Sequence, residues 1–138
     1  MTGDEIRDAV LRAVAVIGLA GVALIHVLDA HGTFSATPYI GWLYVGLITG
    51  SLASAAWLVR ASDSRAWAAA TLLPLGAIAG FVLSRTVGLP GSTDDIGNWW
   101  EPLGLASLFV EGAVVAIAGG VLAGRTAVRP LRLEASTP

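Results

Sequence analysis

Apolar residues fall into four long runs separated by short polar stretches. From residue 9 to residue 29 the pattern is apolar almost throughout, broken only at Arg12, His26 and Asp29. Similar runs cover residues 39–59, 64–84 and 102–123. Each is about 20 residues long, and at about 1.5 Å per residue such a helix crosses a hydrocarbon layer of about 30 Å. The separators carry helix-boundary residues. Pro38 and Pro102 suit the first turn of a helix, where a missing N–H costs nothing. Ser62 or Asp63 suits the N-cap of the third run, since its side-chain oxygen can accept a free amide. Pro74 lies inside the third helix, where it frees the carbonyl of Ala70 and predicts a kink. Residues 29–38 (DAHGTFSATP) read as a polar turn. Residues 85–101, with Gly88, Pro90, Gly91 and Gly97, read as an irregular connection.

Within the runs, small residues recur every four positions: Gly46, Gly50 and Ser54 in the second, Gly76, Gly80 and Ser84 in the third, and Gly112, Ala116, Gly120 and Gly124 in the fourth. Such stripes predict smooth faces on which neighbouring helices pack closely. The expected fold is all-α: a single membrane domain of residues 1–138, an integral four-helix bundle. A secretory signal peptide with Arg7 and Arg12 as its basic region is disfavoured. Its one tempting cleavage point, after Ala30, puts the large Leu28 where a small residue is required.

Composition strengthens this reading. Of 138 residues, 55% are hydrophobic and only 13% charged, against about 25% charged in an average soluble domain. The mean hydropathy is +0.74. A soluble chain of this size has too little interior for so much apolar surface, so the lipid bilayer is its expected partner. A net charge of -2, with no basic stripe, excludes nucleic acid as a partner class. The absence of cysteine excludes disulfides, thiolate metal sites and cysteine nucleophiles.

The arginines set the expected orientation. Arg7 and Arg12 lie in the N-terminal segment, Arg60 and Arg65 flank the middle turn, and Arg125, Arg129 and Arg132 follow the fourth run. The other two connections share only Arg85. By the excess of basic residues on the cytoplasmic side, both termini are expected inside, with an outer loop at 85–101 and a cytoplasmic tail at 125–138. Trp57 and Trp67 would then mark the inner interface, and Trp42, Trp99 and Trp100 the outer one. An all-arginine, alanine-rich composition suggests a high-GC bacterium and hence its cytoplasmic membrane.

On that topology a polar cluster collects on the outer half: His26, Asp29, His31, Arg85, Glu101 and Glu111. Glu111 is the sharpest of these. A carboxylate well inside a membrane helix costs at least about 2.5–3.5 kcal/mol, so it must face the bundle and find a partner or a proton. His26, Thr49, Ser51 and a carbonyl freed by Pro74 are its expected partners. The plainer reading is an acid that fixes packing through one hydrogen bond. His26 and Asp29, three apart, share a helix face. With His31 and a carboxylate such as Glu111, His26 has the ligand chemistry for zinc or copper. His26 and His31 could also ligate haem, though two histidines so close in sequence do not easily reach opposite haem faces. The spacing of the two histidines is no established metal motif, however, and the plainer reading is a histidine satisfied by a neighbour. Arg85 is expected to snorkel outward and pair with Glu101, Asp94 or Asp95. Thr93-Asp94-Asp95 reads as a solvated turn. No nucleophile–base–acid set is visible.

The stretches ALIHVLDAHG, PYIGWLYVGL, SRTVGLPG and EPLGLASLFVE together resemble a set of small four-helix membrane proteins of actinobacteria and similar bacteria. The likeness covers residues 23 to 111 and rests on His26, Ser84-Arg85-Thr86, Gly88-Leu89-Pro90, Glu101-Pro102 and Glu111. It implies the fold and no activity. The chain departs from some relatives in having Asp29-Ala30-His31 in place of a second, strongly acidic histidine segment. Sequence thus leaves three functional expectations: a binding or accessory subunit, in a larger membrane complex or a homo-oligomer; a metal- or cofactor-binding protein; and a small proton-coupled transporter. An enzymatic role has no support in the residues.

Overall fold

A computed structural model describes the backbone of residues 1–134 and the side chains of residues 1–127. Four helices follow one another: α1 (Gly3–Ala36), α2 (Pro38–Arg60), α3 (Ser64–Thr86) and α4 (Pro102–Glu134). Each packs against the next and α4 returns to α1, so the helices form a ring with little contact across the α1–α3 diagonal. α1 with α2, and α3 with α4, are the closest pairs; α2 and α3 touch least among neighbours. All four are long and apolar enough to cross a membrane. This is an all-helical bundle with the composition of a multi-pass membrane protein.

The boundaries of α2 and α3 fall within two residues of those expected, and Asp63 caps α3 by accepting the Ala66 amide at 2.8 Å. α1 differs. It starts at Gly3 behind a capping box, in which Thr2 and Glu5 exchange hydrogen bonds, and it runs on through residues 29–36, expected to be a turn. Gly32 alone is a weak breaker. Ser35 turns its hydroxyl back to the carbonyl of His31 and Thr33 to the carboxylate of Asp29, each one helical turn earlier. What stops the helix is Pro38, which forces the preceding residue out of helical geometry. Thr37 leaves helical geometry (φ -144°, ψ 88°) and serves as both the C-cap of α1 and the N-cap of α2. α3 stays helical through Pro74. α4 continues to Glu134, so residues 125–134, expected as a tail, extend the helix; residues 135–138 lie outside the described residues.

The two ends of the bundle are built differently. At the end carrying the termini, Ala15, Leu19, Ala55, Leu58, Ala66, Trp67, Ala70, Val114 and Ala118 make one dry core. Trp67, expected at an interface, is 0% exposed; its indole N–H donates to the Ser62 hydroxyl at 2.9 Å. Arg125 closes this end. It donates to the carbonyl and hydroxyl of Ser62, pairs with Asp8 at 3.3 Å and lies over the Trp67 ring. Asp8 also pairs with Arg12. The Arg12 hydrogen bond is the main reason the Asp8 carboxyl is held below its ordinary pKa, with Arg125 adding to it. At the opposite end, residues 87–101 fold over the helix ends. Gly88, Gly91 and Gly97 take φ of 78°, 69° and 81°, a region other L-residues rarely enter. Tyr39 donates to the Pro90 carbonyl at 2.9 Å and the Gly97 amide to the Arg85 carbonyl at 2.9 Å, tying the segment to α2 and α3.

The small-residue stripes do not all pack as expected. Gly50 is covered by Leu73 of α3, but a side-chain atom added at Gly46, Gly76 or Gly80 would meet nothing within 4 Å. The same holds for Gly112, Gly120 and Gly124. Tight glycine contacts lie elsewhere: Gly18 and Gly21 of α1 against Val114 and Val110 of α4, Gly41 of α2 against Phe34 of α1, and Gly104 of α4 against Phe81 of α3.

Candidate functional site

Continuation of α1 to Ala36 decides which residues meet. His26 lies ten residues before the end of α1, about 15 Å along the axis, and Glu111 lies nine residues after the start of α4, about 13 Å along it. The two are therefore level, and the Gly18–Val114 approach brings their helices together. His26 Nε2 stands 3.8 Å from Glu111 Oε1, within ion-pair reach and beyond a hydrogen bond. His26 Nδ1 lies 2.9 Å from the Val22 carbonyl. A carbonyl only accepts, so Nδ1 carries a proton and Nε2 is the nitrogen turned to the acid. Ser107, one turn before Glu111 on α4, donates to Oε1 at 2.8 Å. Glu111 is 1% exposed. Of its expected partners His26 is in place; Thr49 instead donates to the carbonyls of Val45 and Gly46. Ser51 is buried with its hydroxyl unpartnered among the described residues.

Asp29 lies one turn beyond His26. Its Oδ2 accepts from the Tyr44 hydroxyl at 3.0 Å and from Thr33 at 3.4 Å. The Tyr44 ring meets the His26 ring edge-on, centroids 4.7 Å apart. Among the described residues no basic side chain pairs with Asp29. Arg85 is handled differently. Instead of snorkelling outward it is 8% exposed, covered by the folded 87–101 segment. It reaches Asp95 at 2.8 Å and Glu101 at 3.6 Å, with the Phe81 ring beneath it at 4.7 Å. Its Nε has no partner among the described residues. Glu101 also takes the first free amides of α4, from Leu103 at 3.0 Å and Gly104 at 2.7 Å. Asp94 is exposed and stands outside this group.

These groups surround one cavity of about 760 Å³ between the helices at the loop end. His26, Asp29, Tyr44, Arg85, Asp95, Glu101 and Ser107 line it, with Gly46, Gly76, Ala77 and Gly80 along the α2–α3 gap. Glu111 does not line it. The acid sits behind His26 and Ser107, which do. Gly46 and Gly76 are exposed as well as cavity-lining, so the cavity opens sideways between α2 and α3. Its size is that of pockets for small organic molecules.

His31 is not part of this site. Five residues after His26 on a continuous helix, it points about 140° away, and it is exposed. The described residues contain no group of three His, Cys, Asp or Glu side chains placed to hold a metal ion. Sequence reasoning missed Ser107 and Tyr44. The first was within reach, since Ser107 and Glu111 are four apart on one helix; for Tyr44 the only signal was a hydroxyl inside an apolar run. Comparison of the chain with protein-family models, with curated proteins and with solved structures finds no match.

Proposed function

We propose that this is a multi-pass protein of the bacterial cytoplasmic membrane with both termini cytoplasmic, and that it binds a small molecule in a cavity open to the outer half of the bilayer. The observation that carries the reading is the cavity itself: about 760 Å³, apolar along the α2–α3 gap and polar where α1, α3 and the 87–101 segment meet. Glycines at Gly46, Gly76 and Gly80 leave the gap open where larger residues would close it. An apolar enclosure with a few convergent polar groups is the usual form of a small-molecule site. The arrangement suits a sensor or an accessory subunit that presents a bound ligand to a partner.

The alternatives draw less support. A carrier needs a second opening at the other end, and there Trp67, Leu58, Leu19 and Val114 fill the bundle and Arg125 closes it. A metal centre built on His26, His31 and Glu111 needs His31 to leave its exposed helix face. The test is native mass spectrometry of the protein released from its own membranes, beside a Gly76→Phe variant that fills the gap. The wild type should retain a small molecule that the variant lacks. The same bound species in both, or none in either, overturns the reading.

A further inference from the structure

The charges around the cavity are unequal. Among the described residues three carboxylates line it, Asp29, Asp95 and Glu101, against one guanidinium, that of Arg85. Arg85 is already held by two of those acids and by the Phe81 ring, and Glu101 is further occupied by two backbone amides. Asp29 is the acid left over. One of its oxygens takes the hydroxyls of Tyr44 and Thr33; among the described residues the other has no donor. Asp29 is half-buried on a wall shared with Asp95 and Glu101, and this excess of carboxylates over guanidinium suits a cation better than an anion. Trp42 and Tyr44 line the same cavity, and aromatic rings add attraction for an organic cation.

Resting on the binding function proposed above, we propose that the ligand is an amphiphilic organic cation, an ammonium or phosphonium centre carrying hydrocarbon. Its charge lies at Asp29 and its apolar part in the α2–α3 gap at Gly46, Gly76 and Gly80. The sideways opening gives it a route from the lipid layer, where such molecules accumulate.

The test uses two probes of matched shape and opposite charge, tetraphenylphosphonium and tetraphenylborate. Each is titrated into lipid nanodiscs with and without the full-length protein. Tetraphenylphosphonium should bind saturably to protein-containing discs, beyond empty ones, and tetraphenylborate should not. Asp29→Asn keeps the side chain's shape and its bond from Tyr44 but removes the charge, and should weaken binding about tenfold. Asp29→Glu should retain binding, and Gly76→Leu should abolish it. The melting temperature of each variant separates lost binding from lost folding. Saturable binding of tetraphenylborate alone, sensitive to Arg85→Gln, overturns the cation class and leaves the cavity's binding function standing. Binding of neither probe also overturns the cation class, while the native mass spectrometry comparison decides the cavity. Tetraphenylphosphonium binding unchanged in Asp29→Asn overturns the role of Asp29.

Discussion

Glu111 offers the most direct way to test whether the contacts at the centre of the bundle carry energy. Glu111→Gln preserves size and still accepts the Ser107 hydroxyl, so it should change stability by less than about 1 kcal/mol. Glu111→Ala opens a cavity against Val114 and leaves His26 Nε2 facing empty space. Cavity creation alone costs about 2–5 kcal/mol in packed interiors, and an orphaned buried nitrogen adds about 1–3 kcal/mol, so about 3–8 kcal/mol is expected. His26→Phe keeps the ring edge against Tyr44 and loses only the polar contacts, at about 1–2 kcal/mol. Combined with Glu111→Gln, it should cost less than the sum of the two, because each single change already breaks the pair. Unfolding free energies can be read from SDS titration out of maltoside micelles by the fluorescence of the five tryptophans. Additivity of the two changes within about 0.5 kcal/mol would refute the coupling inferred from the 3.8 Å approach.

Glycine positions should divide sharply. Gly18→Leu drives a side chain into Val114 and should cost about 1–3 kcal/mol, whereas Gly76→Leu, with open space beside it, should leave the melting temperature nearly unchanged. Asp8→Asn should destabilise at neutral pH by less than about 1 kcal/mol, as for partly exposed ion pairs. Because the folded-state pKa of Asp8 is lowered, mainly by Arg12, its contribution is present above the ordinary carboxylate value of 3.8 and disappears as pH falls through the lowered one; a wild-type advantage that persists in stronger acid would contradict this. The chain has no cysteine, so Ser92→Cys and Thr126→Cys report orientation directly. An impermeant maleimide should label the first in intact cells and the second only after lysis; the reverse pattern inverts the proposed topology.

The helices were readable because apolar runs and proline breaks are local signals. Length at the ends was less so. Asp29, His31, Thr33 and Ser35 look like a turn because they are polar, yet polarity disqualifies a residue from lipid and not from a helix. Only Pro38 ends α1. From that difference follows the level placement of His26 and Glu111, which a helix ending at residue 29 does not give. The cavity was not readable at all. A glycine stripe invites close packing and equally leaves space, and the outcome depends on what the facing helix supplies. Leu73 reaches Gly50, and nothing reaches Gly46 or Gly76. Arg85 shows the same dependence: its partners were among those expected from charge, but its burial depends on the fold of residues 87–101.

The split between a packed half and an open half has an electrical consequence in the proposed orientation. A membrane voltage falls mainly across the part of a protein that excludes water and ions. Here that part is the layer of Trp67, Leu58 and Leu19, so most of the potential drops on the cytoplasmic side of His26 and Glu111. A charge that crosses the full field exchanges about 2.3 kcal/mol per 100 mV; one that stops at Asp29 crosses little of it. Binding of a cation that reaches Asp29 from the outer side should therefore depend little on whether the cell is energised.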